Sequence, residues 1–145
     1  MAYRFLYIYP QENLAFAQAL ANVLSSYGGL EVIAWSELKE FDLEAYSLVF
    51  LDAGILADPH QPDSLAQIIT YVCQRWPQVK LVIVTTSPTW RRAREALQAG
   101  AVDYIRQTLD EDRLHREMES AIAYYILAQK KDRPQNEQKS HLNGR

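Results

Sequence analysis

Five short segments of this chain are rich in leucine, β-branched and aromatic residues: Tyr3 to Tyr9, Leu30 to Trp35, Leu48 to Leu51, Lys80 to Thr85 and Val102 to Ile105. A strand with one face in water alternates apolar and polar side chains, whereas a strand covered on both faces does not. The near-continuous apolarity of Tyr3 to Tyr9 and of Leu48 to Leu51 therefore asks for cover on both sides of a sheet. The stretches between the strands can supply it. Over Gln11 to Tyr27, Leu14, Ala17, Ala21 and Leu24 recur at helical spacing beside Phe16, Leu20 and Val23, with Gly28-Gly29 as the stop. Helices are predicted from about Ser64 to Arg75, ended by Trp76-Pro77, and from Trp90 to Ala99, ended by Gly100. A last helix starts at Asp110, an N-cap followed by Glu111 and Asp112 in the favourable first turn, and runs to about Gln129. Between Ser36 and Tyr46 there is room only for a short or poorly formed helix.

Strands alternating with helices predict an α/β protein with a parallel sheet covered on both faces. The expected architecture is a flavodoxin-like three-layer sandwich with strand order 2-1-3-4-5. In such sheets the functional crevice opens outside the carboxyl ends of the strands, at the switch between strands one and three. The residues just after Tyr9, Leu51 and Val84 are the ones to examine.

At 145 residues, 48% of them apolar, one domain with one core is expected. The single cysteine, Cys73, allows no internal disulfide and suits a reducing, cytoplasmic setting. No run of about 18 apolar residues is present, and the N-terminal apolar run is too short for a signal peptide. Residues 130–145 hold five basic and two acidic side chains, so the net charge of −3 divides into +3 there and −6 over 1–129. We expect a folded domain over 1–129 and a disordered polar tail over 130–145, which has almost nothing apolar to bury.

Several chemistries are excluded by pattern. The turn Pro10-Gln11-Glu12-Asn13 carries no glycine-rich phosphate loop, and Thr85-Thr86-Ser87-Pro88 has no glycine for a flavin phosphate. His60, His115 and His141 have no partner at metal-ligand spacing, and no G-x-S-x-G elbow presents a serine nucleophile. What remains is Asp52, placed at the end of the buried run Leu48 to Leu51.

In that setting the chain resembles the two-component response-regulator receiver domain. Ser47-Leu48-Val49-Phe50-Leu51-Asp52 looks like its phosphoacceptor strand, and Leu81-Val82-Ile83-Val84-Thr85 like its strand ending in a switch hydroxyl. Glu95 to Ile105 resembles the family's EALxAGAxDYI segment. The similarity covers residues 3 to about 127. It implies that Asp52 is the phosphoacceptor-like residue and that Thr85 and Tyr104 are the switch-like residues.

The departures from that pattern shape the functional expectation. The acidic pair that helps bind Mg²⁺ after strand one falls on Tyr9-Pro10, or on Gln11-Glu12 in the other register. Asp52 with Glu12 would hold such a hard cation only weakly, and no cofactor or metal is expected. The family's lysine falls at Gln107, which can donate a hydrogen bond but no charge. The loop Ala57 to Asp63 is longer than the receiver equivalent. Phosphoryl transfer rests on positioning and charge stabilisation. The resemblance with these losses implies a pseudo-receiver: a non-enzymatic signalling domain that acts through protein contacts without obligatory phosphorylation. Two alternatives stay open, a phosphorylatable single-domain response regulator and a flavodoxin-like small-molecule-binding protein.

Trp90, Arg91, Arg92 and Arg94, with Arg106, predict a basic face beside Tyr104. In receivers the fourth helix, fifth strand and fifth helix form the output or dimer surface, so the resemblance points to a signalling partner, a histidine kinase among the candidates. The last helix presents Leu114, Met118, Ala121, Ile122 and Tyr125 in a stripe that Tyr124, Ile126 and Leu127 widen. A homodimer through either surface is compatible with this pattern. An acidic domain with one short arginine cluster and no recognition-helix motif is not expected to bind nucleic acid, nor a chain without an apolar span the membrane.

Overall fold

The computed structural model describes residues 3–9, 14–54, 65–86 and 88–128. The expectations for Pro10, Gln11 and Glu12, for the loop from Ala57 to Asp63, for His60 and His141 and for the tail lie outside these residues. The described chain runs β1 (Tyr3–Tyr9), α1 (Leu14–Leu24), β2 (Gly28–Ala34), two 3-10 segments (Trp35–Glu40 and Leu43–Ala45), β3 (Leu48–Asp52), α2 (Leu65–Arg75), β4 (Leu81–Thr85), α3 (Trp90–Ala99), β5 (Asp103–Arg106) and α4 (Glu111–Ile122). A π-helical turn, Ala123–Leu127, continues α4.

The strands form one sheet in the order β2-β1-β3-β4-β5 with every pair parallel, as the alternation of strands and helices predicts. All residues of β3 and β4 are buried, which is why neither alternates in polarity. Period-two geometry divides the core into two layers. On one face Leu6, Ile8, Val49, Leu51, Leu81 and Ile83 pack with Ile68, Ile69 and Val72 of α2 and Ala96 of α3. On the other, Phe5, Tyr7, Phe50, Val82 and Val84 pack with Phe16, Leu20 and Leu24 of α1 and with Leu114, Met118 and Ile122 of α4.

Both ends of β2 differ from the sequence expectation, and β4 and β5 begin one residue later than expected, at Leu81 and Asp103. Gly28 and Gly29 open β2 and do not cap α1, whose chain turns through the Tyr27 N–H donating to the Leu24 carbonyl at 2.8 Å. Gly28 is needed because Tyr3 lies so close across the β1–β2 pair that a Cβ would sit 1.8 Å from its carbonyl oxygen. Correspondingly, β2 ends at Ala34, and Trp35 begins the first 3-10 segment. The short or poorly formed helix expected between Ser36 and Tyr46 takes the form of the two 3-10 segments. They bury Leu38, Leu43 and Tyr46, whose irregular spacing makes no α-helical stripe. Glu37 accepts the Ala34 N–H at 2.9 Å, and Asp42 accepts that of Glu44 at 3.1 Å.

Helix caps fall where the residue types put them. Asp110 Oδ1 accepts the N–H groups of Asp112 and Arg113 at 3.1 and 3.2 Å, and Thr89 Oγ1 accepts that of Arg92 at 3.2 Å. Gly100 ends α3 at φ 126°, a conformation that side chains disfavour, and a Cβ there would meet Cys73 Sγ of α2 at 2.9 Å. Both effects oppose a methyl group. Gly100→Ala is therefore expected to lower the unfolding free energy by about 1 to 3 kcal/mol, measured by urea titration.

Candidate functional site

The carboxyl ends of β1, β3, β4 and β5 meet along one edge of the sheet, and there the predicted residues collect. Asp52 is the last residue of β3 and is only 8% exposed. It pairs in register with Val84, so Thr85, also buried, stands one residue further along the neighbouring strand. The Thr85 carbonyl accepts the Gln107 N–H at 2.6 Å, which brings the end of β5 to the same edge. On the other side of Asp52, the β1–β3 register runs to Ile8 opposite Leu51, placing Tyr9 beside the carboxylate strand end. The sequence thus brings Asp52, Thr85, Tyr9 and Gln107 to one edge.

The carboxylate itself is held by two donors. The Tyr7 hydroxyl donates to Asp52 Oδ2 at 2.6 Å, and the Gly54 N–H donates to Oδ1 at 2.7 Å. The second is an Asx turn as the chain leaves β3. The first is the finding that sequence reasoning missed. Tyr7 is fully buried in the middle of β1, on the face covered by α1 and α4, with its ring edge-on to Phe16 at 5.6 Å between centroids. Burial first, then the hydrogen bond and negative charge of Asp52, push its phenol well above the usual tyrosine range. The signal was present: a tyrosine inside a strand buried on both faces must bring a partner for its hydroxyl.

Glu12, the second carboxylate considered for a cation, lies outside the described residues. Each Asp52 oxygen already accepts a protein hydrogen bond, and Tyr9 offers an aromatic ring where a carboxylate would be useful. Among the described residues there is no cluster of three or more His, Cys, Asp or Glu side chains able to hold a metal.

A second feature lies on the face formed by β5 and α4. A groove of about 1240 Å³ is lined by Arg106, Arg113, Arg116, Glu117, Tyr104 and Tyr124, among others. Arg106 belongs to the basic face expected from sequence, whereas Arg113 and Arg116 on α4 were not singled out there. Trp90 is 76% exposed on α3 with the Arg94 guanidinium 5.3 Å from its ring centre, and Arg91 is exposed next to it. These α3 residues do not line the groove. The π-helical turn sets the groove's far end: Ile126 is buried, the Tyr125 hydroxyl donates to the Val102 carbonyl at 2.9 Å, and Tyr124 is left 68% exposed. Cys73 is half-buried behind Gly100, and burial pushes its thiol up.

The Tyr104 hydroxyl and Glu117 Oε1 are buried without a hydrogen-bond partner among the described residues, and both residues line this groove. The Glu117 carboxyl is raised by desolvation, against the lowering effect of Arg113, with Asp103 adding to the rise and Arg106 and Arg116 opposing it.

No family model matches the chain. The transcriptional regulatory protein ZraR of Salmonella typhimurium is 30% identical over 103 residues, which are 71% of this chain and 21% of ZraR. The chain thus spans about a fifth of the curated relative's length. The response regulator DrrB of Thermotoga maritima superposes with a TM-score of 0.65 at 14% identity, over 85% of this chain and 54% of that one. A CheY-like response regulator receiver domain protein from Methanospirillum hungatei gives 0.62 at 18% identity, over 85% and 95%. The chain has the receiver fold and resembles receiver domains in sequence. Among the described residues no helix is long and apolar enough to cross a membrane.

Two expectations follow from the unpaired groups. Tyr104→Phe removes a buried hydroxyl that has no partner, so stability in urea should stay level or rise by up to about 1 kcal/mol. A carboxyl whose folded-state value is raised takes up its proton more readily folded than unfolded, so its contribution to stability falls as pH rises from the ordinary carboxylate range through the raised value. Glu117→Gln should therefore be more stable than the wild type at neutral pH. The difference should vanish below about pH 4, where both states carry the neutral acid.

Proposed function

We propose that this receiver-like, CheY-like domain works in signal transduction as a pseudo-receiver, passing information through protein contacts while Asp52 stays unphosphorylated. The observation that carries this reading is the state of the carboxylate, whose two oxygens both accept hydrogen bonds from Tyr7 and Gly54. Gln107 adds to it, since a neutral side chain at that position supplies no charge to a developing phosphoryl dianion. No catalysis is assigned to the domain, and a reducing, cytoplasmic setting suits its single free thiol.

The contact surface of this proposal is the face of β5 and α4 with the adjoining α3. Arg106, Arg113 and Arg116 give the groove a basic wall, and Trp90 with Arg91 and Arg94 extends the basic, aromatic character along α3. A protein partner bearing acidic groups matches this basic, aromatic chemistry. A kinase or a second copy of the chain is a partner of the right class.

The second reading, a phosphorylatable receiver, has one observation in its favour: Asp52 and Thr85 occupy adjacent strand ends at the same sheet edge. One experiment separates the two. The full chain incubated with Mg²⁺ and phosphoramidate is expected to keep its unmodified intact mass. Stoichiometric phosphorylation mapped to Asp52 would establish the second reading.

A further inference from the structure

We infer that Tyr7 closes Asp52: its hydroxyl occupies the carboxylate oxygen that a phosphorus atom or a metal ion would need, making this buried tyrosine the residue that decides whether the aspartate reacts. The inference rests on the pseudo-receiver reading and gives it a specific structural cause.

The geometry has three parts. First, the contact is short: 2.6 Å lies in the range of an O–H···O⁻ bond to an ionised acceptor, and such bonds are about twice as strong as neutral ones. Second, the donor has no alternative position. Tyr7 is fully buried, its ring is pinned edge-on by Phe16, and its neighbours on that face are Phe5, Phe50 and Val84. Rotating the phenol away from Asp52 would leave a buried hydroxyl without an acceptor or break the packing of α1 on the sheet. Third, the other oxygen is engaged as well, by the Gly54 N–H at 2.7 Å. The phenol, held above its usual range by burial, keeps its proton throughout the neutral region, so the bond is not lost by ordinary changes of pH.

The chemical consequence concerns the lone pairs. To accept phosphate, an Asp52 oxygen forms an O–P bond as the donor's bond to phosphorus breaks. With phosphoramidate the P–N electron pair leaves on ammonia, and an acyl phosphate results. That attack needs a carboxylate oxygen whose density points at phosphorus. The Tyr7 proton takes one lone-pair direction of Oδ2 and, with the Gly54 N–H on Oδ1, fixes the orientation in which the carboxylate presents what remains. A divalent cation meets the same competition, because it would have to take an oxygen from a donor that cannot move away.

Gln107 is a second obstacle, so the test varies both. Wild type, Tyr7→Phe, Gln107→Lys and the double variant Tyr7→Phe/Gln107→Lys are incubated with Mg²⁺ and phosphoramidate and followed by intact mass and peptide mapping, with folding checked by circular dichroism. The wild type and Gln107→Lys should stay unmodified. The double variant should become phosphorylated at Asp52, at a rate at least about tenfold above the detection limit that bounds Gln107→Lys. Equal rates for Gln107→Lys and the double variant, or a folded double variant that stays unmodified, would overturn the role of Tyr7 while leaving the pseudo-receiver reading in place. Modification of the wild type would overturn that reading and the closure together. Should the double variant fail to fold, Tyr7→Phe alone decides the matter through its ¹³C-labelled aspartate resonances. Addition of Mg²⁺ should shift the Asp52 carboxyl signal in Tyr7→Phe and leave it unmoved in the wild type, and an equal response in both would overturn the inference.

Discussion

A carboxylate at the end of a strand buried on both faces has to be satisfied by what the sheet itself can reach. β3 is covered throughout, and Asp52 shares its face with Leu48 and Phe50, so its nearest polar neighbour across the β1–β3 pair is the hydroxyl of Tyr7. The arrangement is mutual. Tyr7 can lie fully buried because Asp52 accepts its proton, and Asp52 can lie nearly buried because Tyr7 and Gly54 donate to it. Each partner removes the desolvation cost of the other. The pair also ties the strand end to the layer formed by α1, since the same tyrosine ring packs on Phe16.

That coupling separates two properties that the receiver fold combines. The scaffold needs the parallel sheet, its two helical layers and the turn at Gly100, and all are built from side chains whose role is packing. Reactivity at the sheet edge depends instead on charge and on an accessible oxygen at a handful of positions. Tyr7 remains a good strand residue, Tyr9 a good strand end, and Gln107 still places its backbone N–H on Thr85. The fold shared with DrrB and the CheY-like receiver thus rests on packing residues and not on the groups of the crevice.

Much of the fold was legible because burial on both faces leaves an unmistakable pattern. Leu48 to Leu51 and Leu81 to Val84 admit little but a central strand, and Asp110 and Gly100 mark helix ends through local chemistry that tertiary context does not override. The difficulties arose where long-range contacts decide. Gly28-Gly29 reads locally as a helix stop, yet its absent side chain answers the approach of Tyr3 across the sheet. The segment from Ser36 to Tyr46 buries three apolar side chains at spacings that suit no regular element. At the site, Asp52 and Thr85 were identifiable as strand ends from the resemblance, whereas Tyr7 was read only as a buried strand residue. A hydroxyl in an apolar run does announce that a partner exists, but 45 residues of intervening chain conceal which one it is.

The groove on β5 and α4 extends the same logic to the surface. Along the sheet edge each Asp52 oxygen accepts from a donor, but among the described residues the Tyr104 hydroxyl and Glu117 Oε1 have no partner, and both residues line one groove. Burying polar atoms without partners costs stability, so two of them in one groove weigh against it as mere packing. The π-helical turn that leaves Tyr124 exposed at the same end, and the arginines of α4 along its wall, make this face polar, basic and aromatic together. Among the described residues the two oxygens of Asp52 are thus paired at the crevice, whereas the Tyr104 hydroxyl and Glu117 Oε1 at the groove are not.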